Sequence, residues 1–353
     1  MKQLVLVLIL NLLWAVLGRA ETIDLRIGTI LGLTGPVAQM CVEMQRGAQL
    51  AAEDLSRDQN LRVTLLAEDS KWQVKDAVAA YRKLHNSNGI RIVQVAGSGI
   101  TLALKPLTEI DGTLLFSNAA HSEILTKAKY VLRYANRADR DALIFAKAVL
   151  GSNPRQVAEL AMENDWAAEF DSFFKKELRK AAQLEVFSAT HLPEETDFKP
   201  ALLKLLAAAP DALIVNSFGI SAGQIILQAR ELGFKGSIFA NNGFGLSPDA
   251  QALVGKRGCT NLIYQGYPLP PPAFQEKYQR RFNEKGGAFA LIVYTSFELL
   301  GEAALRVGSN PAALVSYIRG LGSFAGAFQE IQIESNGDMV LDTKMYTYPQ
   351  QPN

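Results

Sequence analysis

Short apolar runs ending in glycine, serine or aspartate alternate along this chain with longer stretches whose apolar positions recur every third or fourth residue. Those are the periods of strand and helix. Asp24 to Leu31 reads as a strand, and Gly32-Leu33-Thr34-Gly35-Pro36 as a turn in which Pro36 fixes φ. Ala38 to Leu55 reads as a helix with Ala48, Leu50, Ala51, Ala52 and Leu55 on its buried side. Arg62 to Ala67 is a strand, Val74 to Leu84 a helix, Ile92 to Ala96 a strand, Ile100 to Ile110 a helix, and Leu114 to Phe116 and Tyr130 to Tyr134 strands. This order predicts a parallel sheet covered by helices on both faces.

The alternation then restarts. Helices at Asp141 to Leu150, Asp165 to Ala181, Phe198 to Ala208 and Ile220 to Leu232 interleave with strands at Gln156 to Met162, Leu184 to Ala189, Ala212 to Asn216, Ile238 to Ala240 and Asn261 to Gln265. Two successive αβ units of about 120 residues each argue for two similar lobes, within the usual range for domains. The proline cluster from Tyr267 to Pro272 breaks the rhythm and reads as a crossover. Three helices follow, Ala273 to Asn283, Phe289 to Val307 and Pro311 to Gly320. Asn336-Gly337, the strongest short turn signal, then predicts a β-hairpin between Gly326 to Ile333 and Met339 to Tyr348.

The first twenty residues stand apart. Lys2, an apolar run from Leu4 to Leu17 and small residues at Gly18 and Ala20 form a secretory leader cut after Ala20. The run is too short to span a bilayer comfortably, and no later segment reads as a membrane span. The expected chain is exported to the periplasm. A formal charge of +1 over 353 residues gives no basic footprint for nucleic acid. The two cysteines, Cys41 and Cys259, read as buried free thiols, because a chain of this length needs no disulfide staple.

Catalysis lacks its usual parts. His85, His121 and His191 have no metal-ligand spacing, and HExxH, GxSxG and a phosphate-binding P-loop are absent. Gly28, Gly32 and Gly35 do not form GxGxxG, which removes a dinucleotide cofactor. The expectation is a cofactor-free, metal-free binding protein, not an enzyme. Two strands ending in Gly97-Ser98-Gly99 and Ser117-Asn118-Ala119-Ala120-His121-Ser122 bring small polar residues to one sheet edge. Such an edge is either an anion cradle beside helix N-termini or a pair of plain turns.

At Thr34-Gly35-Pro36-Val37-Ala38-Gln39, Ser98, Asn118-Ala119-Ala120-His121, Gly223 to Arg230, Gly287-Ala288-Phe289 and Phe324 to Phe328, the chain resembles the periplasmic leucine/isoleucine/valine-binding proteins. The resemblance covers Asp24 to about Tyr348. It implies two αβα lobes with mostly parallel central sheets joined by three crossovers, the type I periplasmic-binding-protein fold. The lobes fall at about 21–138 plus 267–342 and 139–266 plus 343–353. It also implies a monomer that closes on a small organic ligand by hinge motion and delivers it to an inner-membrane ABC permease. A receptor or regulator module with the same fold is the alternative.

Carried over residue by residue, the resemblance puts Ser98 and the backbone at Ala119 on the ligand carboxylate. His121 stands in place of a hydroxyl residue, and Met40 in place of an aromatic. Trp166 and Phe218 stand where tyrosines are expected, and Asn242 replaces the acid that meets the ligand ammonium. An amide cannot neutralise a buried cation. The implied ligand is therefore carboxylate- or amide-bearing and lacks a free α-ammonium group. Trp72, near the end of the second strand, reads either as a cleft-lining residue or, the favoured reading, as a local packing residue.

Overall fold

The computed structural model describes residues 22–349 apart from Pro36, Gln59 and Gln183. The leader, its cut after Ala20 and the turn role of Pro36 lie outside the described residues.

The first lobe begins with β1 (Ile23–Leu31), α1 (Ala38–Leu55), β2 (Leu61–Asp69), α2 (Val74–Arg82), β3 (Ile92–Ala96), α3 (Ser98–Asp111), β4 (Leu114–Asn118) and β5 (Val131–Arg133). These five strands form one sheet with every pair parallel, in the order β2-β1-β3-β4-β5. The central strand, Ile-Val-Gln-Val-Ala, is buried at every position, as a parallel strand covered on both faces must be.

The second lobe follows with α4 (Ala138–Gly151), β6 (Val157–Met162), α5 (Asp165–Ala182), β7 (Val186–His191), α6 (Lys199–Leu206), β8 (Ala212–Asn216), α7 (Gly219–Glu231) and β9 (Ser237–Ala240). The single turn α8 (Asn242–Gly245), α9 (Pro248–Gly258) and β10 (Leu262–Gly266) complete this run. Phe145 sits edge-on to Phe170 and Phe174 at centroid distances of 5.4 and 5.5 Å, filling one face of the second sheet. Each such buried ring contributes about 1.5–3 kcal/mol relative to exposure. Leu202, Ile225, Ile226 and Val254 fill the other face.

The chain then returns to the first lobe through α10 (Pro272–Phe282), α11 (Ala288–Val307) and α12 (Pro311–Arg319). α11 is long and apolar enough to cross a membrane, which corrects the expectation that no later segment would be. It is a core helix instead, buried over most of its length against α1. β11 (Ser323–Ala325), β12 (Glu330–Ile333) and β13 (Met339–Val340) form a small antiparallel sheet, and β14 (Lys344–Thr347) pairs antiparallel with β10.

The expected hairpin is therefore real but short. Ile333 pairs with Met339 across the Asn336-Gly337 turn, and the second arm ends after two residues. The Leu341 N–H is taken by Asn136 Oδ1 at 2.9 Å, and the chain crosses to edge the second sheet as β14-β10-β9-β8-β6-β7. Three crossovers thus join the lobes, near residues 134–137, 267–271 and 341–343. Cys41 is buried and Cys259 partly exposed, both as free thiols. Burial pushes the Cys41 thiol up to about 12.

Candidate functional site

Because β1–β5 in one sheet and β6–β10 in the other run parallel, their C-terminal ends share one edge in each lobe, and the two edges face each other. Between them lies a cavity of about 660 Å³, lined from both lobes and from the crossovers. That size suits a small organic molecule.

On the first lobe, Ser98 opens α3 directly after β3. It is 5% exposed, and its Oγ has no protein hydrogen-bond partner. The N–H groups of a helix's first turn have no intrahelical acceptor either, so hydroxyl and helix end together form an acceptor-seeking surface. Thr101 Oγ1 fixes the turn by bonding the Gly97 carbonyl at 2.8 Å. Ala119 lies beside it at the end of β4, buried and also lining the cavity. Met40 reaches the cavity from the first turn of α1.

His121 does not line the cavity, which corrects its placement there. Arg133 Nη1 holds its carbonyl at 3.0 Å, and the ring caps the turn at Ser122–Ile124 by accepting from the Glu123 N–H. Its Nδ1 lies 3.7 Å from Glu169 of the opposite lobe. One residue later, Ser122 donates its N–H to both Glu169 oxygens at 3.0 Å. On another side, Gln39 Nε2 donates to Asp249 at 2.7 Å. The lobes therefore touch across the mouth of the cavity.

On the second lobe, Trp166 and Phe218 line the cavity with rings set edge to face at 5.6 Å. Asn164 caps α5 by accepting from the Ala167 N–H at 2.8 Å, which places Trp166 on the first turn. Asn242 lines the cavity from α8, 6% exposed. Its Nδ2 donates to Asp141 Oδ2 at 2.8 Å. Asp141 also accepts from Thr343 Oγ1 at 3.0 Å, Asn136 Nδ2 at 3.2 Å and Gln265 Nε2 at 3.4 Å. Burial pushes its carboxyl up to about 7 against the pull of Thr343 and Asn136. With its nitrogen turned to Asp141, the Asn242 amide directs its oxygen, an acceptor, elsewhere.

Several lining residues were missed by sequence reasoning. Glu163, Asp165 and Glu194 stand on the second-lobe rim, exposed, and the lining includes no Lys, Arg or His. Their signal was present as acids following strand ends, but acids there are common in plain turns. Trp72 also lines the cavity while packing against both cores of the first lobe. Among the described residues, no cluster of three His, Cys, Asp or Glu is placed to hold a metal ion.

The Leu/Ile/Val-binding protein BraC3 of Rhizobium johnstonii is 26% identical over 320 residues, 88% of this chain and 86% of that protein. Among solved structures, the branched-chain amino acid transporter substrate binding protein LivJ from Streptococcus pneumoniae, in complex with isoleucine, superposes with a TM-score of 0.82. It is 22% identical, with 92% of this chain and 96% of that one covered. A solute binding protein of an ABC transporter from R. palustris, in complex with benzoate, gives a TM-score of 0.82 at 17% identity, covering 92% and 93%. These likenesses extend the same two-lobed α/β fold across different ligands. The profile of the periplasmic binding protein family matches residues 24–351, nearly all of the described chain, and the chain belongs to that family.

Proposed function

We propose that this chain is the solute-binding component of an ABC importer of the branched-chain amino acid type. It is exported after cleavage near Ala20 and acts in the periplasm as a monomer that hands its ligand to an inner-membrane permease. The lobes divide at about 21–138 plus 267–342 and 139–266 plus 343–353. The ligand is a small organic molecule with a carboxylate or amide group at the Ser98 and Ala119 end.

The observation that carries this reading is the buried, unpartnered hydroxyl of Ser98, a cavity-lining residue at the N-terminus of α3. Leaving such a group unpaired costs about 1–3 kcal/mol, which a ligand oxygen recovers. The far end of the cavity offers the Asn242 oxygen rather than a carboxylate. A hydroxyl or amide N–H satisfies it as a neutral donor, so a free α-ammonium group is not required. The exposed acids among the lining residues disfavour a second carboxylate, so a dicarboxylate is expected to bind more weakly than a monocarboxylate.

A thermal-shift and calorimetric screen over leucine, 4-methyl-2-oxopentanoate, benzoate, small amides and succinate tests this reading. A monocarboxylate or amide at 100 times its Kd raises stability by about 2.7 kcal/mol, and Ser98→Ala weakens it. Tight leucine binding with keto and aromatic acids inert would exclude the ammonium-free ligand. Unchanged affinity in Ser98→Ala removes Ser98 from the site.

A further inference from the structure

We propose that Trp72 is the wall against which a flat ligand body is held, and that it sets a preference for planar over saturated acids. The inference deepens the carboxylate reading of Ser98 and rests on it.

The indole is built into the site in an unusual way. Lys71 and Trp72 both have positive φ, +49° and +59°, a conformation unfavourable for bulky side chains. Asp69 holds the backbone there, accepting from the Lys71 N–H at 2.8 Å, the Leu33 N–H at 2.9 Å and Thr34 Oγ1 at 2.6 Å. From the end of β2 the side chain reaches across the end of β1 to the end of β3. A Cβ on Gly32 would stand 3.2 Å from Trp72 Cε3, and one on Gly97 only 2.9 Å from Cη2. The ring thus rests on two strand ends that carry no side chain to displace it. Gly97 is itself at φ +94°, so its lack of a Cβ serves both the turn and the ring.

Gly97 immediately precedes Ser98. A carboxylate bound at the Ser98 hydroxyl therefore leaves the atoms attached to it beside the indole. Trp166 and Phe218 line the same cavity from the other lobe. Met40, the first-lobe residue on α1, has no flat face. Aromatic rings on both lobes favour a planar body, because stacked and edge-to-face contacts add to simple burial.

The test compares benzoate with cyclohexanecarboxylate, which share a carbon skeleton but differ in flatness, by calorimetry on the full chain. The native protein is expected to bind benzoate roughly tenfold tighter. Trp72→Leu is expected to abolish that ratio, and Trp72→Phe to keep most of it, which separates loss of the flat wall from loss of fold. Equal binding of the two acids by the native protein, or an unchanged ratio in Trp72→Leu, overturns the role of Trp72 while the carboxylate reading stands. If neither acid binds, the role of Trp72 falls, and the carboxylate reading is decided separately by the ligand screen and Ser98→Ala.

Discussion

Asn242 donates its amide nitrogen to Asp141 across 2.8 Å, and this bond ties the cavity wall to the hinge. The partners of Asp141 gather at the crossovers: Asn136 from the first, Thr343 from the third, and Gln265 from β10, just before the second. An opening motion that separates the crossovers must therefore strain the group that orients Asn242. If the ligand meets Asn242 as proposed, that contact and lobe closure are linked through one buried carboxylate.

A pH dependence follows. The Asp141 carboxyl is raised by burial to about 7 from its ordinary value of 3.8. The folded state then holds a proton that the unfolded chain releases, so its stability falls as pH rises from about 4 to about 7. Over the whole window the effect is on the order of 4 kcal/mol, each pKa unit being about 1.4 kcal/mol. Glu43 and Glu298, raised to about 7 chiefly by burial, tilt stability the same way. Urea unfolding of the native chain and Asp141→Asn across this range isolates the Asp141 share. The variant gains relative to the native chain as pH rises; a constant difference between them would show that Asp141 does not titrate in this window. The substituted amide also turns Asn242 to present its nitrogen, which shifts ligand preference from donors to acceptors.

The architecture was legible because it rests on local periodicity. The cavity-lining positions of Ser98 and Ala119 were legible because parallel strands bring their C-terminal ends to one edge whatever the tertiary detail. His121 was not, since two residues past Ala119 the chain is pulled aside by Arg133 and capped onto Glu123. Asp141 resembled an ordinary acid in a first helical turn. Its burial depends on Gln265 and Thr343, far away in sequence. Trp72 was legible as a residue near the cleft, but its direction is set by two positive φ angles, which no hydrophobic pattern encodes. The Asn336-Gly337 turn was read correctly, but nothing local marks where Leu341 leaves the hairpin for Asn136.

Gly97→Ala tests the seat of the indole. The new Cβ meets Trp72 Cη2 at 2.9 Å and sits at φ +94°. The expected loss is about 1–3 kcal/mol of stability from the strained backbone. Ligand affinity falls beyond that seen for Gly89→Ala, a positive-φ glycine with nothing near its Cβ. Equal binding by the two variants would free Trp72 from Gly97.

Glu169→Gln tests the contact across the mouth. Glu169 accepts the Ser122 N–H with both oxygens and faces His121 at 3.7 Å, bonds that exist only while the lobes touch. A hydrogen bond to a charged group contributes about 1.5–3 kcal/mol, so removing the charge shifts the chain toward its open state. Ligand affinity is expected to drop roughly tenfold, with a larger radius of gyration in solution scattering without ligand. An unchanged radius and affinity would make the contact incidental to closure.

Arg133 and Asp338 form the bond on which the first-lobe edge depends. Both side chains are 1% exposed, and Arg133 Nε and Nη2 donate to the two carboxylate oxygens at 2.8 and 2.6 Å. The third arm of the guanidinium holds the His121 carbonyl, so this pair positions the turn that follows Ala119. Removing one partner strands the other charge in the core, at about 3–5 kcal/mol. Asp338→Ala is therefore expected to lower Tm and to loosen the turn after Ala119, weakening a carboxylate ligand as well. Arg133→Met combined with Asp338→Leu removes both charges and recovers most of the stability without recovering affinity, because the His121 carbonyl still lacks its donor. Thermal unfolding and calorimetry on both variants separate these effects; recovery of both together would show that the pair acts on stability alone.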